Sequence, residues 1–549
     1  MPLLISTLFG ATLYVKSNLT PHKSYSHNFA FGFFIGISSL IVLTRVLSLI
    51  TSSYRLAIIS TIIFQLFYVI YSKTILFGNF INWRLIITNF LYITLIFILT
   101  TLYWLRDLND NDQPIGSVGT LHSYRYAWIS NLVTECDYFP ILGQNTGQST
   151  LTAISNILSG HQSPYLYLSL WLSISIFALY TLIAKIIMQF GLKKSTSNLA
   201  ALIFFTLGSG LSITYVAVID SGYPIYLNGY TDTMLGIGIL IIIINYINRK
   251  ILSRLKLFDS IVLVFLLINC FFVAPQNLLA ILMFIFILIA FYIIKIPSVI
   301  PNPFIKFLLF VMPVVAAIPF GGFLTPKQML SKIKIPNVDQ SAVFMLDFIP
   351  GFPFNLTSPS DSVQESEKIV VIFKGLIDTK GISSSETVWF IENLFLTNLR
   401  VLFFPLLGML IAFVLINKLK KGTLKLFRDL NYLQVQGFFL AGIISVMALI
   451  TIPTVLKISG YKWELTRLAL PAIILGSLVL SIVMAKQIIE GARYQFLSWT
   501  IYTVSTIGPF IYFITVCLEN FMRLYSNPDF NAYLGSGPVI LSAYCGMYG

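Results

Sequence analysis

The sequence predicts an all-α integral membrane protein: about 13 (12–14) transmembrane helices, external interfacial helices and a large external loop. Three observations carry that expectation. Hydrophobic residues make up 57% of the 549 residues, charged residues only 10%, and the mean hydropathy is +0.85. A soluble globular chain is about 25% charged, and one this apolar would expose aggregation-prone patches. Apolar runs recur at the length of roughly 20 residues that a helix needs to cross a bilayer. Lipid offers no partner for backbone groups, so helices are the expected spanning form. Finally, Lys and Arg concentrate in alternate loops, the signature of a cytoplasmic face.

Taken in order, the apolar runs place spans at 28–50, 54–72, 85–104, 165–190, 197–219, 233–247, 258–273, 277–295, 303–320, 396–417, 433–456, 464–485 and 496–518. The shorter run 3–15 reads as a fourteenth span or a re-entrant piece. The basic loops hold Lys193 and Lys194, then Arg249, Lys250, Arg254 and Lys256, then Lys295 and Lys306. The series continues with Lys418, Lys420, Lys421, Lys425 and Arg428, and ends with Lys486 and Arg493. The opposite loops, 105–164, 220–232, 321–395 and the tail 519–549, are long and acidic or mixed, and so face outside.

The chain therefore divides into N-terminal spans (1–104), an external loop with amphipathic interfacial helices (105–164) and a central bundle (165–320). A large external loop (321–395), a C-terminal bundle (396–518) and an external tail (519–549) follow. The expected location is a bacterial inner membrane, although charge asymmetry alone fits an endoplasmic reticulum membrane equally.

Several function classes recede. The net charge of +14 is dispersed between apolar runs, without the clustered basic patch of a nucleic-acid binder. No P-loop, HExxH, GxSxG or Cys/His metal motif occurs. No clear internal repeat points to a transporter, and mid-span acids are scarce. The first apolar run lacks the basic start of a cleavable signal peptide. Of the four cysteines, Cys270 and Cys517 lie in apolar runs and read as small core residues. Cys136 and Cys545 fall in exposed segments and can form a disulfide, although their spacing requires none.

Polar chemistry concentrates in GTLHSYRYAWISNLVTECDYFP, Gly119 to Pro140. On a helical wheel, Tyr126, Ile129, Val133 and Cys136 fall within about 40° of His122, while Ser123, Ser130, Asn131 and Thr134 lie opposite. The segment is too short and polar to span, so it is expected in the interface with its apolar face down. His122 and Arg125 sit where a cation can reach a lipid phosphate. A second amphipathic turn, LTAISNILSG, precedes the span that opens at Ser163-Pro164. The plain alternative is a solvated connector packed on the bundle.

LHSYRYAWISNLV, the link YFPILGQNTGQSTLTAISNILSG, the span SPYLYLSLWLSISIFALYTLIAKI and the next run STSNLAALIFFTLGSG resemble in order the GT-C membrane glycosyltransferases. GYKWELTRLALPAIIL resembles that family's outer-edge motif before a late span. The resemblance implies transfer of a sugar from a polyprenyl phosphate to an acceptor on the external face. It also implies a carboxylate base for the acceptor hydroxyl and cations on the leaving phosphate. His122 stands where the family carries an acid before SYRYAW.

The candidate bases are Asp137, Asp220 and Asp232; the candidate phosphate ligands are His122, Arg125 and Arg467. Arg467 lies one turn inside the belt of Lys462 and Trp463, with Glu464 as its neighbour, and reads as a snorkelling anchor or a phosphate clamp. Asp220 and Asp232 flank IDSGYPIYLNGYTD, whose Tyr223, Tyr226, Asn228 and Tyr230 suit a sugar. Helix capping is the plainer role for both acids. Together with other carboxylates they suit a divalent cation. The loop 321–395 reads as a lid or acceptor element, with a sequon at Asn355 and with Glu392 and Arg400 at the mouth of the next span. The expected partners are membrane lipid, the lipid-linked sugar and an unidentified acceptor. Two other readings remain open: a non-catalytic scaffold of the same fold, and a polysaccharide polymerase, ligase or flippase.

Overall fold

A computed structural model describes residues 2–17, 25–72, 83–104, 130, 133–137, 147–160, 164–205, 231–250, 257–273, 281, 474, 478–491 and 495–526. The elements are α1 (Pro2–Lys16), α2 (Tyr25–Thr51), α3 (Tyr54–Tyr71), α4 (Trp83–Trp104), α5 (Gly147–Ser159) and α6 (Pro164–Gln189). They continue with α7 (Lys194–Ile203), α8 (Thr231–Lys250), α9 (Leu257–Val273) and α10 (Gln495–Ser526). Residues 478–490 are also helical, and 133–136 form a single turn; among the described residues there is no strand.

Among the described residues, three helices are long and apolar enough to cross a membrane: Phe29–Ser48 within α2, Tyr54–Tyr71 (α3) and Leu166–Gln189 within α6. Shorter apolar stretches occupy Pro2–Lys16, Ile87–Leu102, Thr231–Tyr246 and Phe258–Cys270. α2, α3, α4, α6, α8 and α9 match the expected spans to within a few residues. α1 is a full helix, about 22 Å long at 1.5 Å per residue, shorter than a hydrocarbon core of about 30 Å. The run expected at 197–219 is helical from Lys194 to Ile203 and continues into a π turn at Phe204 and Phe205; its remainder lies outside the described residues.

α10 runs past the expected end at 518 to Ser526. Residues 519–526 contain no Gly or Pro, and the first breaker is Pro528, so nothing local stops the helix. The helix at 478–490 likewise outruns the expected end at 485. The spans expected at 277–295, 303–320, 396–417 and 433–456, and the loop 321–395, fall outside the described residues, save the single helical residue Ile281.

α2 is the hub, packing on α1, α3, α5, α6, α8 and α9. Its contact with α1 is backbone to backbone. A side chain at Gly36 would collide with the Ser6 carbonyl, and one at Gly10 with Gly32 and Gly36. Small residues four apart let helices approach this closely in lipid. Buried side chains then pair across the interfaces. Ser6 Oγ donates to Gln65 Oε1 (2.7 Å), and Gln65 Nε2 donates to Ser39 Oγ (2.8 Å), joining α1, α3 and α2. Asn269 Nδ2 of α9 donates to Ser38 Oγ of α2 (2.9 Å), and Thr100 and Ser173 share a 2.9 Å bond between α4 and α6.

The contacts define two ends of the bundle. At one, Lys16 Nζ donates to the Tyr68 hydroxyl (3.3 Å) and lies 4.7 Å from its ring centroid, while Asn245 Nδ2 donates to Gln189 Oε1 (3.0 Å). At the other, the α2–α3 turn, the 133–137 turn and the start of α5 come together. This second end contains the site.

Candidate functional site

The site grows from a two-residue turn. α2 stops at Thr51; Ser52 takes a left-handed φ of 52°, and Ser53, with φ −138° and ψ 123°, caps α3 by accepting from Leu56 N. That is the expected role of a serine in extended backbone ahead of a helix. Asp137, one of the candidate bases, completes the cap. Ser53 Oγ donates to its Oδ2 (2.6 Å) and Arg55 N to its Oδ1 (2.8 Å), while Tyr54 N donates to its carbonyl (2.6 Å). Arg55 Nε lies 3.7 Å from Oδ1. Asp137 itself has a left-handed φ of 56°, a conformation that Asp tolerates better than most residues. A carboxylate at a helix N-terminus also faces the positive end of the dipole.

The turn at 133–136 is the described part of the amphipathic segment. Val133 is buried, as the wheel predicts, but Ser130 and Thr134, expected on the solvated side, are buried as well. The reason is what they face. Ser130 Oγ donates to the Ser149 carbonyl (3.1 Å) and Asn156 Nδ2 to Thr134 Oγ1 (3.5 Å). Both partners belong to α5, a polar helix that offers hydrogen bonds on the side where open water was expected.

α5 is the main surprise. The sequence suggests an interfacial turn at 151–160, yet the helix is wedged among α2, α6, α8 and α9. Gln148, Ser149, Thr150 and Thr152 are all 0% exposed. Trp171 Nε1 of α6 donates to Ser155 Oγ (2.9 Å), and the Tyr167 hydroxyl donates to Ser159 Oγ (2.7 Å). Gly147 opens the helix where no side chain fits. A Cβ there would stand 2.6 Å from Asp232 Oδ1 and would also strike Val273. The missing side chain admits Asp232, whose Oδ1 accepts from Gln148 N at 2.7 Å. Asp232 is 2% exposed and lies in the first turn of α8. One carboxylate thus faces two helix N-termini, both suited to negative charge.

Two further groups complete the junction. Arg45 of α2 is 3% exposed, with its guanidinium 5.0 Å from the Phe272 ring centroid. Tyr54, fully buried, lies beside Arg45 and meets the Thr150 side chain. Among the described residues, neither amide atom of Gln148 has a hydrogen-bond partner, nor do the Ser149, Thr152 and Thr231 hydroxyls. Each buried polar group left in this state costs about 1–3 kcal/mol. Such groups concentrated around one helix start call for an explanation beyond packing.

Of the sequence-predicted residues, the structure brings Asp137 and Asp232 to this end, each against a helix N-terminus. His122, Arg125, Asp220 and Arg467 lie outside the described residues, as do Asn355, Glu392 and Arg400. Arg45, Gln148 and Tyr54 were not anticipated. Arg45 had a legible signal, since it is the one charge inside the apolar run 28–50, and ionisable residues within a span mark function by default. Among the described residues, no three His, Cys, Asp or Glu side chains assemble to hold a metal ion. No family model, no curated protein and no solved structure matches the chain.

Proposed function

We propose that the chain is a polytopic membrane protein of about 13 spans in a bacterial inner membrane, with the α5 end turned outward. We further propose that it transfers a sugar from a polyprenyl phosphate to an acceptor at that face. The observation that carries the reading is the burial of polar α5 beside Arg45 at one end of the bundle. Intramembrane ionisable and polar groups are expensive, and they mark sites where ions or polar substrates are handled. A guanidinium suits a phosphate through its planar fork. In this reading Arg45 joins His122, Arg125 and Arg467 on the leaving phosphate, and Asp137, Asp220 or Asp232 takes the acceptor proton. A divalent cation, if required, would draw on the acids of the same face.

The test is sugar transfer by the purified full-length protein in liposomes loaded with polyprenyl-phosphate sugars. Arg45→Ala is expected to lower transfer at least tenfold, with the fold retained by thermal denaturation. Transfer undiminished in Arg45→Ala, Asp137→Asn, Asp220→Asn and Asp232→Asn would remove the assignment. A second reading, a scaffold without transfer chemistry, is favoured by one observation. Asp137 and Asp232 are both engaged by the main chain of a helix start, a structural use of a carboxylate. No donor consumption under any condition, with the bundle intact, would favour it.

A further inference from the structure

We infer that Cys136 is joined to Cys545, that the α5 end faces an oxidising compartment, and that the chain crosses the membrane an even number of times between these residues. Cys136 is disulfide-bonded, whereas Cys270 and Cys517 are buried thiols outside any disulfide. The chain holds 4 cysteines, so Cys545 is the partner that remains; it lies outside the described residues. Cys136 immediately precedes Asp137, the residue that completes the cap of α3. The bond therefore ties the C-terminal tail covalently to the turn beside Tyr54 and α5.

The topological part rests on the membrane reading above. A disulfide cannot form through a bilayer, so both cysteines reach the same face and the crossings between them are even in number. The expected spans after residue 136 begin at 165–190 and end at 496–518 and are ten in all, an even count. Formation removes two electrons and two protons from the two thiols. A thiol–disulfide oxidoreductase accepts them, its own disulfide becoming a dithiol. Structural disulfides persist in the periplasm, the secretory lumen or the exterior and are rare in the cytosol. The basic loops lie on the other face by the positive-inside rule, so redox chemistry and charge, two unrelated criteria, assign the same side.

The test uses the full-length protein in its own membranes. After denaturation without reduction, a polymer-tagged maleimide is expected to add two tags, at Cys270 and Cys517, and four after reduction. Cys136→Ser and Cys545→Ser should each add three without reduction, and peptide mass spectrometry should recover the 136–545 cross-link. On intact cells, a membrane-impermeant maleimide should reach the orphaned thiol of either variant from outside. Four tags before reduction, or labelling of the two thiols from opposite faces, would overturn the inference. Alkaline carbonate extraction reads the membrane separately. Release of the protein would remove the membrane reading and the parity with it, and would leave the cross-link standing on its tag count.

Discussion

α3 and α5 meet at one end of the bundle and follow opposite rules. α5 carries Gln148, Ser149, Thr150 and Thr152 and buries all four completely. α3 is almost wholly apolar, yet Ile63 is 60% exposed, Phe67 67% and Tyr71 74%. In water the assignments would be reversed, because an apolar side chain gains about 1.5–3 kcal/mol from burial and an unpaired polar one loses a comparable amount. The inversion is coherent if the surroundings of α3 are hydrocarbon. Leu56, Ile59, Ile63, Phe67 and Ile70 then lose nothing by facing outward, and the polar residues gather where they find one another. Charge follows the same division: Arg45 and Asp232 are inside with α5, and α3 carries only Arg55, at its very start.

The largest effect is expected on α3. Ile63 lies near the middle of Tyr54–Tyr71. Ile63→Asp should cost about 3 kcal/mol of membrane integration, the scale for a charge at a helix centre, read as the integrated fraction in a glycosylation-mapped insertion assay. Undisturbed integration would mean that this face does not meet lipid. Next in size, Asp232→Ala removes the acceptor for Gln148 N, and about 2 kcal/mol should disappear from thermal stability in detergent. Asp232→Asn keeps an acceptor and should recover part of the loss. Ser53→Ala sharpens the junction between the two helices. It deletes the α3 cap and the bond to Asp137, an expected loss of about 1 kcal/mol. The smallest effect is expected at Ile59, 48% exposed, where Ile59→Ala should stay within about 0.5 kcal/mol.

Much of α3 was legible in the sequence and little of α5 was. Apolar length alone locates α2, α3, α4, α6, α8 and α9, since each is a continuous apolar run with polar residues marking its ends. The helicity of α5 could be read from LTAISNILSG, but its burial could not. Ser, Thr and Gln have no periodic signature that separates a wetted helix from one enclosed by neighbours. Asp137 failed to declare its role for another reason, because it caps a helix that starts 83 residues earlier in the chain, at Tyr54. Local patterns reveal capping by Ser53, three residues from the amide it accepts, and are blind to a cap supplied by a distant loop. Asp232 was legible as an acid at the start of its own helix, and only the structure adds the second helix, reached through Gly147.

The turn between α2 and α3 constrains how the protein is made. Ser52 and Ser53 together extend about 7 Å, too short to cross any part of a bilayer. The end of α2 and the start of α3 are therefore fixed at one depth, and neither helix can settle without the other. α2 carries Arg45, Thr44, Ser38 and Ser39 in its buried face, yet its span is at least as apolar as α3. In the membrane reading, so short a tether makes α2 and α3 enter together, as the two arms of one hairpin.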